Sequence, residues 1–347
     1  MQSASPLSAL TYPFAATPAG GRAVEVAPGV LWLRMPLMAP LGHINVWLLA
    51  DDGGWTLVDT GIHGEDTFNA WQAAFVDVLQ GRPLRRVVTT HMHPDHIGMA
   101  GWLTFRFDCE LWCSRLEYLT CRLLMTDTGR PPPEAALQFY RRAGWNEEAI
   151  EQYTMRFGEF GKHVSPLPDC FRRLDAGAHV VVGGRRWQVV VGRGHSPEHV
   201  CLHCREDGLL ISGDQVLPRI SSNVSVFPLE PEANPLQEWL ESLREIRRAA
   251  TADTLVLPAH GEPFLGLHDR VDEMLGAHEA ALERLHGGLR TRLRAVDTFP
   301  LLFRREVRGR LTTIATGESL AHLNYLRQLG KAERRCDEHG VDWYKAA

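Results

Sequence analysis

The stretch that decides the fold is His91-Met92-His93-Pro94-Asp95-His96, which places four ligand-capable side chains within six residues. It follows directly on the predicted strand Leu84 to Thr90. Residues two apart in extended backbone point to the same side, so His91 and His93 can bind one metal ion together. Asp95 and His96 follow where the chain turns, and they can bind a second metal ion beside the first. The hexapeptide therefore predicts a metal site at the end of a strand.

The composition is that of an ordinary globular protein. Of 347 residues, 44% are hydrophobic and 23% are charged, which allows one large domain with an appendage, or two domains. The net charge of -5 gives the molecule no general attraction for polyanions. Nucleic-acid binding would therefore require a local basic patch.

The first twenty residues carry neither a basic n-region nor a long apolar run, so they do not resemble a secretory signal. No stretch approaches the roughly 20 apolar residues of a membrane span. The seven cysteines are an odd number scattered along the chain, which is not the pattern of a disulfide framework. We expect a cytoplasmic protein that does not interact with membranes, with a flexible N-terminus over residues 1–20.

Strands alternate with helices before and after the hexapeptide, which predicts an α/β fold. Upstream, the apolar pattern predicts two strands on either side of a loop at 36–42, then a short strand and an amphipathic helix; these are residues 24–35, 44–50, 55–58 and 65–79. Downstream, residues 114–163 form a helical block inserted between strands. Asn146 can cap its third helix.

A second β-rich half begins near residue 179. Gly183-Gly184 and Asp207-Gly208 are turn pairs between predicted strands. Helices and a strand follow, and Gly287-Gly288 is the expected end of a catalytic domain spanning residues 21–288. The tail, residues 289–347, is predicted to contain a helix from Glu318 to Leu329 capped by Thr316, followed by a hairpin. Helices followed by a hairpin suggest a winged-helix-like unit.

Together with the hexapeptide, four further motifs resemble the metallo-β-lactamase superfamily, whose signature is histidine, any residue, histidine, any residue, aspartate, histidine. They are Asp59-Thr60-Gly61, Gly194-His195-Ser196-Pro197, Ser212-Gly213-Asp214 and Pro258-Ala259-His260-Gly261. The resemblance covers residues 24–264. It implies an αββα metallo-β-lactamase sandwich, with the helical insert and the small C-terminal domain as additions.

The resemblance also implies a complete ligand set for two divalent metal ions. His91, His93 and His195 hold one metal, Asp95, His96 and His260 hold the other, and Asp214 bridges them. Imidazole and carboxylate ligands favour zinc, and manganese or iron also fit. Asp59 is expected to accept a hydrogen bond from a ligand histidine and so to fix its orientation.

Two adjacent cations lower the pKa of a shared water and supply hydroxide without a protein nucleophile. Asp95 can pass the released proton onward. His199 can face the metals, because loops after the third ligand histidine line the site in relatives, although a strand-edge histidine is an equal interpretation. In Cys201-Leu202-His203-Cys204 the cysteines point to opposite faces of a strand, so we expect core packing rather than a zinc site.

We expect hydrolysis of a carboxylic ester, a thioester or a lactone, with a small-molecule substrate. The first alternative is an endoribonuclease or other phosphodiesterase of the same fold. β-Lactamase activity ranks lower, because dedicated β-lactamases of the superfamily generally lack a bridging aspartate, and a catalytically silent binding protein ranks lowest. The insert, with the loop 36–42, is predicted to roof an acyl pocket or to form a homodimer interface; its apolar candidates are Leu124, Met125, Phe139, Tyr140 and Trp145.

The predicted helix and hairpin of the tail offer little net positive charge for a polyanion. The helix, Glu318 to Leu329, contains only Arg327 as a cation and begins with an acid, and the cations of the hairpin are interleaved with acids. We therefore do not expect nucleic acid as a partner. We expect the leucine face of this helix to pack against the catalytic domain or a second subunit.

Overall fold

The structure is a computed structural model that describes residues 10–19 and 21–347. The strands are β1 Ala23–Ala27, β2 Val30–Pro36, β3 His43–Asp51, β4 Gly54–Val58, β5 Leu84–Val88, β6 Glu110–Cys113, β7 Arg172–Arg173, β8 His179–Val182, β9 Arg185–Gly192, β10 His199–Cys204, β11 Leu209–Gly213, β12 Leu255–Pro258, β13 Ala332–Cys336 and β14 Asp342–Ala346. The helices are α1 Glu65–Ala74, α2 Pro94–Ile97, α3 Ala100–Phe107, α4 Arg115–Met125, α5 Glu134–Arg142, α6 Glu147–Arg156, α7 Pro235–Ala249, α8 Leu267–Gly288, α9 Phe299–Leu302 and α10 Leu311–Gln328. None of these helices is both long and apolar enough to cross a membrane.

Two sheets pack face to face. The first has seven strands in the order β1 to β7, and the second has five in the order β12-β11-β10-β9-β8. Side chains alternate between the two faces of a strand. In β2, Trp32 points between the sheets beside Trp47, while Leu33 and Met35 point to the opposite face.

The outer face of each sheet is covered by helices. Trp71 of α1 and Leu103 of α3 pack on the first sheet, and Trp239 of α7 and Val271 of α8 pack on the second. Sheets buried on both faces require apolar residues at nearly every position, as in β11. The predicted αββα sandwich of the α/β class is confirmed.

The ends of the parallel strands define where chemistry can occur. Strands β4, β5 and β6 are parallel to one another, and β11 is parallel to β12. Asp59 follows β4, His91 follows β5 after two residues, Asp214 follows β11 and His260 follows β12 after one residue. Polar side chains are thus delivered by loops at the carboxyl ends of strands, the usual place for a site in such sheets.

The N-terminal segment is anchored where the structure describes it. Thr11 exchanges two backbone hydrogen bonds with Leu265, at 3.2 and 2.9 Å. The expected flexible N-terminus over residues 1–20 otherwise falls partly on residues 1–9 and 20, which lie outside the described residues.

Several predicted elements have different bounds. The single strand predicted for residues 24–35 is a hairpin of β1 and β2, because Gly29 has a positive φ of 69° that turns the chain. The helix predicted for residues 65–79 is α-helical to Ala74 and continues as a π-helical segment, Phe75–Leu79. The sequence prediction also missed α3 and β6. The helical insert and the Asn146 cap, which accepts the Ala149 N–H at 3.0 Å, are confirmed.

The cysteines of β10 belong to the core, as expected. Cys201 packs under the helices that cover the second sheet, whereas Cys204 packs between the two sheets. The two thiols therefore point to opposite faces of the strand.

The tail departs from its prediction at the start of its helix. Helix α10 begins at Leu311, so Thr316 lies inside it and is not a cap. The Thr316 hydroxyl donates to the Thr312 carbonyl at 2.7 Å and accepts from the Trp145 indole at 2.8 Å. Helix α8 ends at Gly288, two residues beyond its predicted end at His286, so Gly287-Gly288 forms the end of the helix and not a separate boundary after it. The hairpin is confirmed as β13 and β14.

The leucine face of α10 packs against the rest of the chain, as expected. Leu320, Leu323 and Leu326 are buried in the core that contains α7 and α8. The Asn324 amide donates to the carbonyls of Pro231 and Ala233, at 3.1 and 2.9 Å. The tail therefore shares its core with the second sheet and its helices.

Truncating the leucine face should destabilise the whole protein. Leu323 is completely buried, so Leu323→Ala should lower the free energy of unfolding by about 2–5 kcal/mol through lost burial and a residual cavity. Leu329→Ala is the matched control, since Leu329 is 52% exposed, and its effect should stay within about 0.5 kcal/mol. Urea denaturation measures both. Equal effects would show that the leucine face does not support the fold.

A buried histidine pair between α8 and α10 should make stability fall in acid. Burial lowers the pKa of His278 from its ordinary 6.5 to about 3 and that of His322 to about 4. Below pH 6.5 the unfolded chain therefore binds more protons than the folded one, so stability is lost as the pH falls from 6.5 toward 4.

Replacing His278 should flatten this dependence. Each such histidine contributes up to about 1.4 kcal/mol per pH unit within its window. For metal-free protein, His278→Leu should reduce the slope of unfolding free energy against pH by about that amount. The control is His286→Leu, on an exposed position of the same helix. An unchanged slope in His278→Leu would contradict the assignment.

Candidate metal centre

Seven predicted side chains converge in two adjoining groups. One potential ligand atom from each of His91, His93, His195 and Asp214 lies within 4.8 Å of the others, and Asp95, His96 and His260 satisfy the same limit. They come from four separate loops at the carboxyl ends of strands. The structure thus brings together every residue predicted as a metal ligand.

Asp214 lies between the two groups. Its Oδ2 is 3.4 Å from His195 Nε2, while its Oδ1 is 3.6 Å from His96 Nε2 and 3.4 Å from His260 Nε2. Each carboxylate oxygen therefore faces a different group. The preceding Gly213 allows this approach, because it has a φ of 51° and a Cβ there would lie 2.4 Å from His199.

Three histidines are held by their Nδ1 atoms, with Nε2 directed into the cluster. His96 Nδ1 is 2.8 Å from Asp59 Oδ2, His195 Nδ1 is 2.7 Å from the Asn223 carbonyl, and His260 Nδ1 is 2.9 Å from the His43 carbonyl. Because these partners are acceptors, each Nδ1 carries a proton, which leaves Nε2 as the atom available to a metal ion. This is the tautomer that a metal ligand requires.

Asp59 has the role expected from the sequence. Besides His96, it accepts hydrogen bonds from the Thr90 N–H at 2.7 Å and the Thr90 hydroxyl at 2.9 Å. Its backbone has a φ of 60°, an uncommon conformation that aspartate tolerates better than most residues. A buried carboxylate therefore joins the end of β4 to the ligand loop after β5.

His91 and His93, two histidines of the first group, are neutral. Burial lowers the pKa of His91 well below its ordinary value, and lowers that of His93 to about 3, with neighbouring histidines adding to both shifts. His91 Nε2 and His93 Nδ1 lie 2.8 Å apart. Neutral imidazoles this close offer lone pairs for a cation.

The second group is electrostatically different. Burial alone would lower the pKa of His96 and of His260, but the neighbouring carboxylates outweigh burial and raise both pKa values. The pKa of His96 is raised well above its ordinary value. Burial would raise the pKa of Asp95 and Asp214, yet His96 and His260 lower both. Positive charge is therefore favoured between these side chains.

The cluster fits two divalent cations. Among the described residues, His96 Nε2, His195 Nε2 and Asp214 Oδ1 are buried polar atoms without a hydrogen-bond partner. Buried polar atoms are rarely left in this state unless they bind something. Four buried or largely buried carboxyl groups, those of Asp59, Asp95, Asp214 and Glu117, lie in or directly behind the cluster, and divalent cations would compensate this concentration of acidic groups.

Comparison with known families agrees with this site. Residues 39–261 match the metallo-beta-lactamase superfamily, which is more than half of the chain and includes all seven converging residues. The chain belongs to the metallo-beta-lactamase superfamily. Residues 282–347 match the C-terminal domain of metallo-beta-lactamase-like proteins, a region that begins inside α8.

Solved structures of similar proteins cover 93–97% of this chain. A beta-lactamase domain protein from Burkholderia ambifaria is 44% identical, with 97% of each chain covered and a TM-score of 0.88. A metallo-beta-lactamase family protein from Thermus thermophilus is 26% identical, with 93% of this chain and 100% of that chain covered and a TM-score of 0.77. The C-terminal unit is thus shared with other superfamily members.

A curated relative matches more weakly. The beta-lactamase-like protein 2 homolog of Caenorhabditis elegans is 23% identical over 242 residues, or 69% of this chain. The match spans 63% of that relative's length.

His199 is the first residue of β10, in keeping with its interpretation as a strand-edge histidine, and its ring lies next to the converging side chains. Its side chain is fully buried, its Nε2 accepts the backbone N–H of Asp214 at 3.0 Å, and its ring lies 4.8 Å from that of His91. Burial lowers its pKa well below the ordinary value, so it stays neutral. His199 lies beneath the cluster and fixes the backbone of Asp214.

The aromatic residues of the insert do not roof the site. Phe139, Tyr140 and Trp145 are buried in the same core cluster as Leu320 and Leu323 of α10. The prediction that they line an acyl pocket was wrong, because composition reveals that they are apolar but not which surface they cover. Leu124 and Met125 also pack inward, against the core of the first sheet.

Four polar residues around the site were not predicted from the sequence. Asn45 accepts from the Trp32 indole at 2.7 Å and donates to the carbonyls of Pro258 and Gly261, at 2.8 and 2.9 Å. It thereby fixes the loop that carries His260. A lone amide within an apolar strand is a detectable signal, since buried polar groups need partners.

The other three have no such signal. Glu117 contacts the loops of His91 and His195. Asn223 accepts from His195 through its carbonyl, and its amide donates to Glu318 at 3.0 Å. Burial raises the pKa of Glu318 to about 7. The C-terminal unit is therefore connected to a ligand histidine through one residue.

A His199→Phe substitution separates positioning from catalysis. It keeps a ring but leaves the Asp214 N–H without its acceptor, so metal affinity should fall about 10- to 100-fold, the usual effect of losing an outer contact. The kcat at saturating metal should change much less. Metal titration and kinetics measure both quantities, with His203→Phe on the same strand as control. A collapse of kcat with unchanged metal affinity would instead make His199 catalytic.

Proposed function

We propose that this protein is a dinuclear metal-dependent hydrolase of carboxylic esters, thioesters or lactones. Residues 21–288 form its catalytic domain and residues 289–347 its C-terminal unit. His91, His93 and His195 hold one metal ion, Asp95, His96 and His260 hold the other, and Asp214 bridges them. Zinc suits this mixed imidazole and carboxylate set, and iron or manganese is the alternative.

The observation that carries the proposal is the position of Asp214. A carboxylate with one oxygen facing each histidine group is the arrangement of a bridging ligand, and its Oδ1 has no hydrogen-bond partner among the described residues. A structural aspartate in the interior would instead accept N–H or O–H donors, as Asp59 does from Thr90.

Two adjacent divalent ions, when bound, lower the pKa of a water molecule and polarise the bond that it attacks. The side chains of the site would orient the metal ligands and carry the released proton away. Asp95 is the most suitable proton carrier, since its side chain is 19% exposed while that of Asp214 is 10% exposed. Its Oδ2 lies 3.4 Å from His260 Nε2 and 3.6 Å from His96 Nε2. Asp59 holds His96 in its ligand tautomer throughout.

The surface near the site favours an apolar substrate. In the loop 36–42, Met38 and Leu41 are 77% and 40% exposed, and the adjacent His43 accepts from His260. On α4, Leu116, Leu119 and Leu123 are 43–52% exposed, and the Leu116 N–H donates to Glu198 beyond His195. These side chains take over the acyl-binding role that the aromatic residues of the insert cannot have.

The pairing of the arginines in α10 and in the β13–β14 hairpin argues against a polyanionic substrate. Arg327 and Arg334 both bind the Glu232 carboxylate, at 3.1 and 2.7 Å, and Arg335 binds Glu333 at 3.2 Å. Cations that are already paired offer few contacts to phosphates, whose neutralisation dominates nucleic-acid binding. A small-molecule substrate therefore ranks above RNA.

The proposal is tested by substrate preference and by removal of the bridging residue. Protein reconstituted with zinc should hydrolyse p-nitrophenyl acyl esters, acyl-thioesters or lactones faster than bis(p-nitrophenyl) phosphate or RNA. Asp214→Asn should lower kcat at least about 100-fold, since even outer contacts of a metal site are worth 10- to 100-fold. Asp207→Asn, an exposed carboxylate at the other end of the β10–β11 hairpin, should have no effect.

Two results would contradict the proposal. Full activity of verified metal-free protein would exclude metal-dependent chemistry. A kcat/KM for RNA or phosphodiesters above that for acyl substrates would favour the phosphodiesterase alternative.

A further inference from the structure

Glu117 is a fully buried carboxylate in the first turn of α4. Its Oε2 accepts the backbone N–H of Met92 at 2.9 Å. Its Oε1 accepts the Ser196 hydroxyl at 2.7 Å and the backbone N–H of Glu198 at 2.6 Å. All three donors belong to loops that carry the converging histidines.

These donors connect the two halves of the first histidine group. Met92 lies between His91 and His93, on the loop after β5 of the first sheet. Ser196 directly follows His195, on the loop before β10 of the second sheet. One carboxylate thus spans the gap between the sheets at the point where these three histidines meet.

The contact is reciprocal. The Glu198 carboxylate accepts the Leu116 N–H at 3.0 Å, near the N-terminus of α4, and the Glu198 carbonyl accepts the Ser114 hydroxyl at 2.7 Å. A carboxylate at a helix N-terminus is stabilised by the helix dipole and by free N–H groups. Hydrogen bonds in both directions therefore connect the start of α4 with the His195 loop.

Glu117 has no Arg or Lys partner among the described ion pairs. Burial raises its pKa, while hydrogen bonds from Glu198, Ser196 and Met92 oppose that shift. Two of these donors are backbone N–H groups, which cannot reverse direction. An ionised carboxylate matches them, whereas a glutamine amide must turn its NH2 group toward at least one of them.

We infer that Glu117 is a positioning residue of the metal centre, whose three hydrogen bonds set the separation between the His91-His93 pair and His195. This inference rests on the proposed dinuclear function. Its loss should weaken the site formed by His91, His93 and His195 and spare the site formed by Asp95, His96 and His260.

The test is a zinc titration of metal-free full-length protein against a chromophoric chelator. Wild type should bind two ions. In Glu117→Gln, affinity at one site should fall about 10- to 100-fold, as for other outer contacts of metal sites, while the other site changes less than about 3-fold. Asp342→Asn is the control, because Asp342 is also a buried carboxylate, paired with Arg142 far from the ligand loops. It should leave both sites unchanged.

Two ligand variants identify the weakened site. In a His260→Ala background, where the second group is incomplete, Glu117→Gln should weaken the remaining tight site. In a His195→Ala background it should have no effect on the remaining site. If Glu117→Gln does not fold, Ser196→Ala removes one of the three hydrogen bonds and should weaken the same site by several fold.

The outcomes distinguish this inference from the proposed function. Wild type that binds two ions, with Glu117→Gln binding them equally well, would overturn the positioning role alone. Equal weakening of both sites, or the same loss in Asp342→Asn, would also overturn it, because it would reflect general destabilisation. Wild type that binds fewer than two ions would overturn both.

Discussion

The burial of the Asp214 carboxylate between two histidine groups is the constraint on which the rest of the structure depends. Removing a carboxylate from water is unfavourable by several kcal/mol unless opposite charge and hydrogen bonds compensate for it. Here the nearest groups are imidazoles on both sides, and Asp95, Asp59 and Glu117 add further negative charge nearby. Metal ions between the groups would satisfy all of these side chains at once.

The αββα sandwich makes this concentration of polar groups possible. The parallel strands end at one edge, so short loops deliver ligands there while the apolar strands bury both faces of each sheet. Each ligand loop is fixed by a contact from another part of the chain. Asn45 of β3 holds the His260 loop, Glu117 of the insert joins the loops of His91 and His195, and Glu318 of the C-terminal unit reaches His195 through Asn223. The insert and the tail are therefore structural parts of the site.

The ligands of the hexapeptide and most strands could be predicted from local spacing, because apolar residues with a period of two and clustered histidines are visible in the sequence itself. His195, Asp214 and His260 were predicted only through the resemblance to the superfamily. Contacts between segments that are distant in the sequence have no such local pattern. Threonine is a common N-cap residue, but Thr316 lies inside a longer helix, where its hydroxyl forms hydrogen bonds with Thr312 and Trp145. Glu117 lies in the first turn of a helix, where the helix dipole favours any acidic residue. The local sequence therefore does not distinguish a buried carboxylate that connects two loops from a solvated one.

The central claim is that two metal ions lie on either side of Asp214, and anomalous X-ray scattering from crystals of zinc-loaded protein tests it most directly. The account predicts two peaks that appear only above the zinc absorption edge, about 3.5–4 Å apart as in other two-metal sites. One should contact His91, His93 and His195, the other Asp95, His96 and His260, with the Asp214 carboxylate between them. A single peak, or peaks away from these side chains, would contradict the account.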